Sequence, residues 1–111
     1  MTEADIIPLL ESVLPDRVFP EVVPLELQPF EPPWCILSLY RVDEDVLSGQ
    51  AEQMFNIQID IYSDTLRQAR ELMSAVREAI KPLYPGNMTE RPGYEPDPKL
   101  RRIILECQVW Q

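Results

Sequence analysis

Twelve prolines in 111 residues constrain the fold of this chain more than any other feature. Six fall between Pro15 and Pro33 and five between Pro82 and Pro98, so only Pro8 stands outside the two clusters. Proline has no backbone donor and resists both helix interiors and central strands. The stretches at about 20–33 and 82–99 are therefore expected as extended loops or edge pieces. The second is long for a loop inside a compact domain, and loops of that length tend to be functional or poorly ordered. At this length residues 1–111 are expected to form a single domain, which buries roughly two-thirds of its unfolded surface around one core.

Regular structure must then come from the tracts between the prolines. Ile6, Leu9, Leu10 and Val13 follow the i, i+3, i+4, i+7 spacing of a short amphipathic helix. Capping by Asp5 would leave Pro8 in the first turn, where its missing N–H costs nothing. Residues 17–23 are β-prone but interrupted by Pro20, which predicts a short edge strand. Trp34–Val42 reads as a strand covered on part of both faces. Phe55, Ile57, Ile59 and Ile61 alternate with Asn56, Gln58, Asp60 and Tyr62, which predicts a strand with one core face and one solvent face. Ile103, Leu105, Cys107 and Val109 repeat the design, but Ile104 and Trp110 break the polar face and imply cover by a loop or another subunit.

The best helix spans 65–81, about 26 Å at 1.5 Å per residue, with Asp64 or Ser63 as its expected cap. Leu66, Ala69, Leu72, Met73, Val76, Ala79 and Ile80 share one side, and Arg67, Arg70, Glu71, Ser74, Arg77, Glu78 and Lys81 the other. The order α-β-β-β-α-β gives an α+β fold: a small mixed or antiparallel sheet of about four strands with two helices on one face.

Hydrophobic residues at 45% and charged residues at 26% are ordinary globular values. The net charge of -9 disfavours nucleic acid and anionic membrane as partners, since both are polyanions. That charge is unevenly spread. Residues 1–66 carry -11 and residues 67–111 carry +2. Such asymmetry is either solvated surface or a means of orienting association between copies.

A search for chemistry returns little. With no histidine there is no Ser-His-Asp or Cys-His arrangement and no zinc helix. Three glycines build no phosphate-binding loop of the G-x-x-x-x-G-K-[ST] type. The remaining acids lie in turns and on solvent faces, where nothing raises a pKa. Asp43, Glu44 and Asp45 lack the alternating ligands and turn glycine of a calcium loop, and they read as a charged turn that discourages edge pairing. Neither a catalytic group, a metal site nor a cofactor is expected. Cys35 and Cys107 have no Cys-x-x-Cys or zinc spacing and read as small buried residues, with a disulfide as the alternative. No apolar run reaches ~18 residues, and the start Met-Thr-Glu-Ala-Asp is acidic where a signal peptide is basic, so a cytoplasmic product is expected. The arginine-rich helix side reads either as a solvated face or as a protein–protein surface.

The order of these features resembles the tail-completion, or tail-terminator, proteins of long-tailed bacteriophages and prophages. In that family a short N-terminal helix leads to a proline-interrupted segment like Arg17-Val18-Phe19-Pro20, then a strand opened by proline, here Pro33-Trp34-Cys35-Ile36-Leu37. An alternating strand then runs into a long Ala/Arg-rich helix, here Phe55-Asn56-Ile57-Gln58-Ile59-Asp60-Ile61-Tyr62-Ser63 into residues 66–80. A closing strand ends in an aromatic, here Val109-Trp110.

The resemblance implies a non-enzymatic virion protein, made in the bacterial host cytoplasm. Such proteins form rings, usually six-fold, that cap the tail tube and dock the head connector. The implied partners are a second copy, the tail-tube protein and the connector protein. Within a ring, Arg67, Arg70, Arg77 and Lys81 would face acids of the next subunit or of a tail partner, with Asp43, Glu44, Asp45 and Trp110 as further contact candidates. A small acidic adaptor or inhibitor that occupies a basic protein surface is the alternative reading.

Overall fold

The computed structural model describes residues 1–42 and 53–110. Helix α1 (Glu3–Glu11) leads to β1 (Val18–Pro20), a 3₁₀ turn (Leu25–Leu27), β2 (Trp34–Val42) and β3 (Met54–Ser63). Helix α2 (Leu66–Ala79), a second 3₁₀ turn (Lys81–Leu83), β4 (Gly86–Pro92) and β5 (Arg101–Trp110) complete the order. Among the described residues the sheet has five strands in the order β1-β2-β3-β5-β4, with β1 parallel to β2 and the other pairs antiparallel. The class is α+β, as expected.

The strand pattern follows from period-two alternation. Cys35 and Leu37 of β2, Ile57, Ile59 and Ile61 of β3, and Ile103, Leu105, Cys107 and Val109 of β5 point to one face and are buried. Both helices cover that face. Ile6 and Leu10 of α1, with Ala69, Met73 and Val76 of α2, close the same core. Cys35 and Cys107 are free thiols inside it.

Four expectations are corrected. First, the sheet has five strands among the described residues, not about four, because the 82–99 stretch, expected as a loop or edge piece, contributes β4. Pro85 and Pro92 bound the strand, and the register shifts between Gly86 and Thr89, so β4 is an edge strand in which the prolines fall at the ends. Second, α1 is capped at Thr2, which leaves Pro8 inside the helix. The Thr2 N–H donates to Asp5 Oδ2 at 2.8 Å, so Asp5 serves as the third helical residue of the first turn. Exposed Pro8 therefore leaves the Ala4 carbonyl without its helical donor.

Third, α2 is capped by Thr65, not by Asp64 or Ser63: the Gln68 N–H donates to Thr65 Oγ1 at 3.1 Å. The Ser63 hydroxyl donates instead to the Gln68 side chain. The helix ends at Ala79, since Pro82 cannot continue the ladder, and the chain leaves through Tyr84 at a left-handed φ of 53°. Fourth, the outer face of β3 is not wholly solvated: Asp60 is only 3% exposed.

Candidate interaction surfaces

Along α2 and the 3₁₀ turn after it, the expected cationic strip lies on the solvent side, but most of it has partners within the chain. Arg67 pairs with Glu71 at 3.2 Å and Lys81 with Glu78 at 2.8 Å, both well exposed. Arg77 reaches Glu90 of β4 at 3.0 Å. Arg70 is exposed and has no ion pair among the described residues. Exposed pairs of this kind contribute ~0–1 kcal/mol and exchange partners readily. Asp43, Glu44 and Asp45 lie outside the described residues. Trp110 is 42% exposed at the far end of β5, with its ring against Gly86; a Cβ there would sit 3.2 Å from Trp110 Cζ3. Part of its expected cover is thus β4 of the same chain.

The sheet face opposite the helices holds a site that the sequence pattern did not single out. Even-numbered residues of β2, β3 and β5 point this way, and register aligns Trp34 with Tyr62 and Tyr62 with Arg102. Trp34 and Tyr62 stack at 5.1 Å with 17° between planes. Phe30 meets Trp34 edge-on at 6.2 Å and Phe19 at 5.3 Å. Two cations lie on this aromatic row: the Arg17 guanidinium lies 5.0 Å from the Phe30 ring centroid, and that of Arg102 lies 5.6 Å from Tyr62. Arg17 Nη1 also donates to the carbonyls of Glu31 (2.8 Å) and Pro33 (3.0 Å), which ties the 28–33 segment to β1.

Beneath the row, Arg102 donates from Nε to Asp60 Oδ2 at 2.8 Å and also from Nη2 to the same oxygen, while Gln58 Nε2 donates to Asp60 Oδ1 at 2.9 Å. The buried carboxylate therefore has donors on both oxygens. Burial pushes the Tyr62 phenol above its ordinary range; Arg102 opposes that shift, and Asp60 and Glu95 add to it.

The two proline-rich stretches meet over this face. Residues 21–34 form one wall and 95–102 the other, with Ile36, Ser38, Gln58 and Asp60 as the floor of an open cleft of about 710 Å³. Gly93 lets the second wall close down: a Cβ there would lie 2.8 Å from Ile104 Cδ1 and 3.0 Å from Arg102 Cδ. Ile104 thereby becomes buried on what reads in sequence as the polar face, covered by a loop of its own chain. Six carboxylates line the cleft (Glu21, Glu31, Asp60, Asp64, Glu95 and Asp97) against two cations, Lys99 and Arg102. One of these cations, Arg102, is engaged by Asp60, so the cleft is acidic, with Phe30, Trp34 and Tyr62 among its lining. The signals available beforehand were the two proline clusters and the aromatics at Phe30, Trp34 and Tyr62. Their convergence depends on pairing between strands far apart in sequence.

The family model described as Tail completion protein gp17 matches residues 7–111. A chain from a structure titled "Virion of native gene transfer agent (GTA) particle" has a similar fold: TM-score 0.60, 17% identity, covering 92% of this chain and 84% of that one. No curated protein matches the sequence.

Proposed function

We propose, from the premise that this chain belongs to the tail completion protein gp17 family of structural phage proteins, that it caps the end of a phage tail tube as a homo-oligomeric ring. It then provides the face on which the head connector docks. The observation that carries this reading is the family match over nearly the whole chain, residues 7–111. The fold shared with a chain of a gene transfer agent virion is in keeping with it.

The physical case is one of unlike surfaces. A uniformly acidic protein of charge -9 would repel its own copies, whereas a chain with -11 in residues 1–66 and +2 beyond can set one patch against a different patch. Heterologous contact of that kind closes into rings when the rotation between subunits allows it. Assembly takes place in the host cytoplasm, and the finished ring stays in the virion. Nothing in the role requires a reaction, so the side chains need only fit.

Light scattering of the chain, alone and mixed with tail tubes, tests the proposal. A ring-sized species, or tubes whose growth stops on addition, is the expected outcome. A strictly monomeric chain that never binds tubes would overturn it. Recovery of the chain on a host protein with no tail component present would favour the acidic adaptor instead.

A further inference from the structure

We infer that the acidic, aromatic-lined cleft on the open sheet face receives the cationic line of α2 from a second copy of this chain. The inference rests on the ring reading above and supplies its interface. The two surfaces lie on opposite sides of the molecule, because α2 packs on the core face of the sheet and the cleft opens on the other. Each subunit can therefore give one and take the other, as a head-to-tail contact requires.

Three features point to this occupant. The first is charge: the cleft has six carboxylates against two cations, while Arg67, Arg70 and Arg77 follow one another on α2 at steps of three and seven, and Lys81 follows in the 3₁₀ turn after it. The ten steps from Arg67 to Arg77 at 1.5 Å make the part of that line on α2 about 15 Å long. Arg70 is without an ion pair among the described residues, and Arg67 and Lys81 have only exposed local partners that they can exchange.

The second is the aromatic lining. Phe30 and Tyr62 already hold guanidinium groups of this chain, Arg17 at 5.0 Å and Arg102 at 5.6 Å, so the row is chemically suited to arginine. The third is reach. A helix about 10 Å across need only lie over the mouth of the cleft while arginine stems pass between the proline walls, their methylenes against Val22 and Phe30. Val22 is 61% exposed at that rim and would gain cover.

Two complementary variants test the contact. One chain carries Arg67→Glu with Arg70→Glu; the other carries Glu31→Arg with Glu95→Arg. Each alone should self-associate about 10–100-fold more weakly than the original chain, because every interface then sets like charges together. Mixed in equal amounts they should assemble again, since alternating subunits restore an opposite-charge pair at both kinds of contact. Sedimentation velocity reads the mass, and circular dichroism checks that each variant is folded.

Single variants that assemble normally, or a folded mixture that stays apart while the original chain assembles, would overturn the cleft contact and leave the ring standing. An original chain that remains monomeric, alone and on tail tubes, would overturn both. Loss of tube binding by the Glu31→Arg, Glu95→Arg chain with its self-assembly intact would assign the cleft to a different protein and overturn the inference.

Discussion

Cys35 and Cys107 behave as core residues with an ionisable atom. Burial, helped by Asp60, pushes the Cys35 thiol up to about 12, and burial pushes Cys107 up to about 11 against the opposing charge of Arg77. Both folded values stand above the ordinary 9.0, so the folded state keeps protons that the unfolded state releases. Their contribution to stability is complete below pH ~9 and fades as pH rises toward 11–12. Thermal melting should fall across that window, and both thiols should resist Ellman's reagent at pH 8 until the chain unfolds. Prompt labelling of the native protein would contradict the buried placement. Asp60 makes the second residue-scale case. With Arg102→Ala, its 3%-exposed carboxylate keeps only the Gln58 donor, and urea denaturation should show a loss of about 2 kcal/mol.

At the scale of elements, the prolines act by placement. They stop α2, bound β4 and stiffen the two walls of the cleft, while hydrogen bonds elsewhere set the element boundaries. Thr65 is one such boundary: Thr65→Ala removes the acceptor for the Gln68 N–H and should cost ~1 kcal/mol, read as a lower denaturation midpoint with an unchanged slope. Gly93 is another. Gly93→Ala drives a methyl into Ile104 and Arg102, so the 93–100 wall must lift from β5 at a cost of about 1–2 kcal/mol. Hydrogen exchange should then quicken at the Gly93 N–H, which donates to the Arg102 carbonyl at 2.9 Å.

For the whole molecule, the charge arrangement matters more than its total. If unlike faces drive assembly, self-association should weaken as salt rises from about 50 to 500 mM, because the Debye length falls from roughly 14 to 4 Å and rim charges are screened. An interface held mainly by apolar burial would instead hold or tighten. Reversing Arg70 and Arg77 together to Glu should weaken assembly and leave folding nearly intact. Arg70 is exposed and without an ion pair among the described residues, while Arg77 gives up a half-exposed pair with Glu90. Unchanged assembly in that variant would remove the helix strip from the interface.

Local physics made much of this legible in the chain itself. Alternation from Phe55 to Tyr62 and from Arg102 to Trp110 identified two central strands and their core face, because side-chain direction in a strand has a period of two. The 3.6-residue spacing identified α2, because its apolar side must meet a sheet. Pairing between distant segments was beyond such signals. The edge strand β4 has no clear alternation, and it exists because β5 offers it a free row of backbone groups. The cleft likewise needs Trp34, Tyr62 and Arg102 brought into one row by register, and two proline segments some sixty residues apart laid over the same face. Composition and periodicity determined which residues form the core, since each depends on its near neighbours alone. Strand order and register decided which polar and aromatic residues share a surface, because only the folded sheet sets those distances.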